Sequence, residues 1–384
     1  MKCLSTKATS IKPSGIRKFF DLASTVEGVI SLGVGEPDFA TPWHICENAI
    51  HYMSTGHTHY TANRGLLELR EEICKFHKEH YNQVYDPENE VIVTIGGSEA
   101  IDLCMRALLN PGDEVIVLDP NYVAYAPSVI LSDGVVVPLK EENDFKILPE
   151  DLKKVITPKT KAMIINYPSN PTGGVMTKKD YAKIIDIIKE SGIYVISDEI
   201  YAELSFDQPF ASLAQFDEIK SQIIVVNGFS KAYAMTGWRL GYCMANKELS
   251  SVMNKIHQYV IMSAPVMSQY AGIEAIKNGY NDVLMMKEDY LKRRNFLVNR
   301  LNRMGLKTNM PHGTFYVFCN IQSTGLDSET FCERLLQEQK VACVPGNAFG
   351  NSGEGYVRIS YAYSIDHIKE AVVRLEQFLK DLEN

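Results

Sequence analysis

The chain has 384 residues, 45% of them hydrophobic, and a formal net charge of −8. That length suggests two domains, and the apolar content supports a sizeable core and excludes a disordered or low-complexity chain. The acidic balance argues against nucleic acid as a partner, which would need clustered Lys and Arg, but one local arginine can still hold a small anionic substrate.

In chain order, residues 1–30 are mixed and polar, with Pro13 and Gly15 as punctuation, and read as an arm or short helix carrying Ile16, Phe19 and Phe20. Val29–Leu32 fits a short strand. Gly33-Val34-Gly35-Glu36-Pro37 is a loop. It lacks the third glycine and the long preceding strand of a dinucleotide fingerprint. Pro42 starts a helix over residues 43–55. Leu66, Leu69, Ile73 and Phe76 give an apolar face to a helix over 64–81.

From residue 91 the texture changes. Val91–Ile95, Val115–Leu118, Val135–Leu139, Ala162–Asn166, Ile193–Ser197, Ile223–Val226 and Leu240–Met244 are short, continuous apolar runs, as in strands buried on both faces. Helices over 100–109 and 178–191 lie between them. The pattern predicts an α/β fold with a mostly parallel sheet between helices. Residues 247–310 read as almost wholly helical. The tail then gives a strand over 313–320, a helix over 328–338, strands over 341–344 and 356–360, and a helix over 365–382. This is a smaller α+β unit. We place a large domain at 40–285, and a small domain made of 1–39 with 286–384.

The eight cysteines include no CxxC pair and none at metal-finger spacing with histidine. No metal site is expected. They read as reduced core thiols, which points to a reducing compartment. Met1–Ser5 lacks an apolar signal core, and no run approaches the roughly 20 apolar residues of a membrane span. The expectation is a cytoplasmic protein without membrane contact.

Ligands of an open parallel sheet gather beyond the carboxyl ends of its strands. Gly97-Ser98-Glu99 follows one strand and opens a helix; Asn170 follows another; Asp198 ends a third, with Tyr201 three residues on; Lys231 follows a fourth. A lysine after a buried strand, with Arg239 eight residues later, should have a lowered pKa and a nucleophilic amine. Singly, each has an ordinary role. Gly-Gly-Ser is most often a turn and cap, Asn-Pro-Thr-Gly a turn, Asp a cap, Lys a solvated charge, and Tyr122 plain packing. Together they suit a phosphorylated pyridine aldehyde. The helix N-terminus and Arg239 would take the phosphate. Asp198 would hold the ring nitrogen protonated. Tyr201 and Asn170 would bond the ring hydroxyl, Tyr122 would stack on the ring, and Lys231 would condense with the aldehyde.

Ser169-Asn170-Pro171-Thr172-Gly173, Ser197-Asp198-Glu199-Ile200-Tyr201, Ser230-Lys231 with Met235-Thr236-Gly237-Trp238-Arg239-Leu240-Gly241, and Tyr356-Val357-Arg358-Ile359-Ser360 resemble the class I/II pyridoxal-phosphate aminotransferases of fold type I. The resemblance runs nearly end to end. It is nearest the bacterial aspartate-type branch and the N-acetyl-diaminopimelate group, whose style the arm Ser14-Gly15-Ile16-Arg17-Lys18-Phe19 shares.

The resemblance implies pyridoxal 5'-phosphate as cofactor, with Gly97, Ser98, Glu99, Tyr122, Asn170, Asp198, Tyr201, Ser230, Lys231 and Arg239 around it. It implies Arg358 for the substrate α-carboxylate, with Gly35 and Asn170 nearby. It implies Tyr60 reaching the phosphate of a neighbouring subunit, hence a homodimer with shared active sites. Two positions depart from the pattern. Gly228 stands where some relatives have a phosphate-binding serine, and Ser98 where some have a lysine that reads an acidic side chain.

The activity implied is ping-pong transfer of an amino group between an L-amino acid and a 2-oxo acid, with Lys231 as the catalytic base. A carbon–sulfur β-lyase on the same cofactor, or a non-catalytic regulator that binds it, are the other readings. The side-chain pocket is expected from Ile16–Lys18, Tyr60–Arg64 of a partner, and residues near Phe315 and Phe349.

Overall fold

A computed structural model describes residues 3–11, 13, 15–16, 26–141 and 144–383. Ser14, Arg17, Lys18, Phe19 and Phe20, named above, lie outside them.

Strand β1 (Ile30–Ser31) comes first. The apolar runs then form β2 (Val91–Thr94), β3 (Glu114–Asp119), β4 (Val135–Lys140), β5 (Thr160–Asn166), β6 (Tyr194–Asp198), β7 (Ile223–Gly228) and β8 (Gly241–Met244). These seven make one sheet in the order β2-β8-β7-β6-β5-β3-β4. Every pairing is parallel except the two made by β8. Alternate residues of one strand feed different cores. Val91 and Val93 pack on one face with Ile45, Leu69 and Ile73, while Ile92 packs on the other with Ala100, Cys104 and Val115. Burial on both faces is why these runs are continuously apolar, except in the edge strand β4, where only Leu139 is buried and the expectation of two covered faces is corrected.

The register gathers polar residues at one edge of the sheet. Asn166 lies opposite Asp198 at the ends of β5 and β6. Gly241, the first residue of β8, pairs with Gly228 on one side and with Thr94 on the other. The ends of β2, β5, β6 and β7 therefore face the same way.

The tail adds β9 (Tyr316–Asn320), β10 (Val341–Ala342), β11 (Val344–Pro345) and β12 (Tyr356–Ser360). β11, β12 and β9 form an antiparallel sheet, and β1 pairs in parallel with β10. Ser360 N–H donates to Leu32 O at 2.7 Å, so the segment after β1 is laced into the tail sheet. Leu297, Phe315, Val317, Phe331 and Phe378 form the core here.

Three expectations are corrected. The expected strand over 341–344 divides between two sheets, because Ala342 ends one pairing and Val344 begins another with Arg358. The helix over 178–191 breaks into Lys178–Ala182 and Ile185–Ser191. The stretch 247–310 holds helices Lys247–Val260, Val266–Asn278 and Tyr280–Arg303, the second opening behind Pro265. Helices Tyr125–Leu131 and Pro149–Val155 were not foreseen. Residue 285 falls inside the helix Tyr280–Arg303. No helix of the described residues is long and apolar enough to cross a membrane. All eight cysteines are free, and five of them are buried.

Candidate active site

Gly35, Gly97, Ser98, Tyr122, Asn170, Asp198, Tyr201, Ser230, Lys231, Arg239 and Arg358 line one cavity of about 740 Å³. It opens at the edge of the sheet where β2, β5, β6 and β7 end.

Lys231 stands three residues beyond the end of β7. Its Nζ donates to Gly35 O at 2.6 Å. The rings of Tyr201 and Phe315 lie 5.9 and 5.8 Å from the amine. Burial, and then the nearby Arg358, push its pKa down to about 8.

Asp198 ends β6 and is buried. Tyr125 Oη donates to its Oδ2 at 2.7 Å, and the Ile200 N–H to its Oδ1 at 3.2 Å. Burial pushes its carboxyl up to about 6, against the opposing effect of the Tyr125 hydrogen bond. Next to it, Asn166 Nδ2 donates to Asp198 O at 2.9 Å, and Asn166 Oδ1 accepts the Asn170 N–H at 2.9 Å. Asn166 thereby sets the position of Asn170.

Arg358 comes from β12. Its Nη1 donates to Asn170 Oδ1 at 2.8 Å and its Nη2 to Gly33 O at 2.7 Å. The guanidinium lies 4.3 Å from the centre of the Tyr316 ring and 4.8 Å from that of Phe349. Its Nε is buried and has no partner. Tyr316 and Tyr201 share a hydrogen bond between hydroxyls at 3.0 Å.

Glycines make the other end of the cavity. Gly96 has φ +74° and lies so close to Arg239 that a Cβ would come within 2.7 Å of Nη2. A Cβ on Gly241 would come within 2.6 Å of the Gly96 carbonyl carbon and 2.7 Å of the Gly97 nitrogen. The helix Gly96–Leu108 starts here, with free N–H groups beside the Arg239 guanidinium. Gly228 is likewise fixed by its surroundings, since a Cβ would come within 2.9 Å of Gly241 Cα. This close pairing of β7 with β8 accounts for the glycine at that position.

Two of the residues named from the sequence keep their side chains outside this cavity. The Glu99 carboxylate is turned from the cavity and bonded to His257 Nδ1 at 2.6 Å; only its backbone sits at the helix start. Tyr60 is 85% exposed and is not part of the lining. Sequence reasoning missed Tyr125, Asn166 and Tyr316. A signal for Tyr125 existed in its spacing from Tyr122.

The donor set fits a phosphorylated pyridine aldehyde. Lys231, Arg239 and Arg358 supply three cations, the glycine turn a close anion seat, and Asp198 a buried carboxylate. The unpartnered Arg358 Nε leaves a donor for a second anionic group.

The model of the aminotransferase class I and II family matches residues 27–375. An aspartate aminotransferase of Pyrococcus abyssi is 45% identical over 383 residues, 98% of each chain. A Bacillus subtilis protein named probable N-acetyl-LL-diaminopimelate aminotransferase is 42% identical over 377 residues, 98% of this chain and 95% of that one. The crystal structure of an aromatic aminotransferase from Pyrococcus horikoshii matches with a TM-score of 0.91 at 43% identity, covering 96% of this chain and 99% of that one.

Proposed function

The chain belongs to the class I and II aminotransferases, and we propose that its pyridoxal 5'-phosphate is held in the cavity around Lys231. The observation that carries this is Lys231 itself, a buried amine whose pKa is pushed down to about 8, sharing one cavity with Asp198 and Arg358.

The N–H groups of 97–99, Ser230 and Arg239 take the phosphate. Asp198 keeps the ring nitrogen protonated, and Tyr125 keeps Asp198 ionised by donating to it. Tyr201 and Asn170 would hold the ring hydroxyl, and Tyr122 would pack against the ring. When bound, the cofactor supplies an electron sink for the charge left at the substrate α-carbon. Arg358 aligns the substrate α-carboxylate beside Gly35 and Asn170. Neutral Lys231 Nζ then takes the α-proton as general base and afterwards returns a proton as acid. Amino-group transfer from an L-amino acid to a 2-oxo acid proceeds in two such half-reactions, which gives ping-pong kinetics.

A Lys231→Ala protein should lose roughly 10³-fold or more in kcat, and borohydride should no longer fix the cofactor to the chain. Wild-type turnover in that variant would overturn the assignment.

Homodimerisation with shared sites is supported by exposed apolar side chains, Tyr60 at 85%, Tyr259 at 86% and Met262 at 45%, the last of which accepts at its carbonyl from Asn63 Nδ2 at 2.8 Å. In this reading Tyr60 serves the partner's phosphate, consistent with its place outside its own cavity. The division into 40–285, and 1–39 with 286–384, is supported by a tail core drawn mostly from residues 286–384 with Ile30 and Leu32, and by the pairing of β1 with β10. The free thiols support a cytoplasmic location. The relatives' names divide among aspartate, aromatic and acetylated diaminopimelate substrates. A panel of amino donors against 2-oxoglutarate and pyruvate is therefore the assay that assigns the pair.

A further inference from the structure

We propose that Glu99 and His257 are positioning residues for the cofactor phosphate, acting through the turn at Gly96–Ser98; this rests on the reading of that turn as the phosphate seat.

The turn needs an external tether. Gly96 adopts a left-handed φ and Gly97 has no side chain, so little but the Thr94 Oγ1 hydrogen bond to Gly96 O, at 2.9 Å, holds their backbone locally. On one side they meet Arg239 and Gly241. On the other, Glu99 Oε2 reaches back and accepts the Ile95 N–H at 2.5 Å, closing a loop around both glycines. Its Oε1 meets His257 Nδ1 at 2.6 Å. His257 is fully buried on the helix Lys247–Val260, and its Nε2 meets Asn63 O at 2.9 Å.

A carbonyl oxygen only accepts, so Nε2 carries a hydrogen. One further proton lies between Nδ1 and Oε1. Both ring nitrogens are thus committed, and the ring has one orientation.

The pair also answers an electrostatic problem. A carboxylate in the first turn of a helix is favoured by the helix dipole, but here it is next to a seat for a phosphate dianion and would repel it. The proton shared with His257 offsets that charge. The same ring bonds the carbonyl of Asn63, three residues from Tyr60. The anion turn and the exposed loop at Tyr60 are therefore braced by one side chain.

The test compares binding of pyridoxal 5'-phosphate and of pyridoxal, which lacks the phosphate, to the full-length chain freed of cofactor. Glu99→Ala and His257→Ala should each weaken binding of the phosphorylated form by about tenfold or more, since each leaves a buried polar partner unsatisfied, with pyridoxal binding unchanged. Glu99→Gln retains an acceptor for Ile95 and should stay within about threefold of wild type. The two Glu99 variants keep the test available if the His257 variant does not fold. Equal losses for both ligands, or no loss in Glu99→Ala, would overturn the proposal. A wild-type chain that bound both forms equally would instead overturn the phosphate seat itself.

Discussion

Arg358 on the tail sheet reaches across to Asn170, beyond the end of β5, with 2.8 Å between Nη1 and Oδ1. One hydrogen bond thus joins the two sheets at the cavity. Nη2 holds Gly33 O, and Tyr316 and Phe349 cover the guanidinium on their ring faces. Only Nε is left without a partner. This fixes the fork before any substrate arrives, which lowers the entropic penalty of binding a carboxylate.

Arg358→Lys should therefore not act as a conservative change. A lysine cannot present a planar fork, so KM for both the amino acid and the oxo acid should rise by roughly 100-fold, about 3 kcal/mol. Cofactor affinity should stay near wild type. Steady-state kinetics with a cofactor titration distinguishes the two, and an unchanged KM would remove Arg358 from substrate binding.

Asp198 should weaken the cofactor-free protein. Its carboxyl is pushed from 3.8 up to about 6 by burial. A raised acid binds its proton more tightly when folded, so stability is lost as pH rises between those values. The difference corresponds to roughly 3 kcal/mol at pH 7. Asp198→Asn should then raise the urea midpoint of cofactor-free protein at pH 7, with the gain shrinking towards pH 4. The same variant should lose most of its kcat, because an amide cannot keep a ring nitrogen protonated. A lower midpoint at pH 7 would contradict the burial argument.

The sheet was legible because its inner strands are buried on both faces, and continuous β-branched runs such as Ile223–Val226 suit little besides a strand of that kind. Asp198 and Lys231 were legible because chemistry-bearing residues stood where strands end, and Arg239 because a second cation follows Lys231 by eight residues. Tyr125 was missed because a tyrosine in a short helix looks like packing until its hydroxyl is seen on Asp198. The side chain of Glu99 was not legible, because chain position gives the backbone's place at a helix start and not the side chain's direction, which His257 decides from 158 residues away. The division of 341–344 between two sheets depends on which partner each residue meets, and local pattern does not carry that.

Gly241 should tolerate no side chain. The Gly96–Gly97 turn leaves no room for a Cβ there, with Gly96 and Gly97 backbone atoms 2.6–2.9 Å from where it would stand. Gly241→Ala should push the turn away from Arg239, destabilise the protein by about 1–3 kcal/mol, and weaken the phosphorylated cofactor more than pyridoxal. A thermal melt with binding titrations checks both. Wild-type affinity and melting temperature together would show that the turn can shift without consequence.

Lys231 should be recognisable by its chemistry even without cofactor. Its pKa is pushed down to about 8, first by burial and next by Arg358. The neutral, reactive amine therefore appears as pH rises through about 8, while ordinary surface lysines become neutral near 10.4. Reductive methylation of cofactor-free protein at pH 7 to 9, followed by peptide mass spectrometry, should mark Lys231 ahead of the exposed lysines, and furthest ahead of Lys292, whose pKa the Glu288 hydrogen bond raises. Arg358→Ala removes the second cause, so its midpoint should move upward and the preference should narrow. If Lys231 reacted no earlier than Lys292 at any pH in that range, its lowered pKa could not be what readies it as the base.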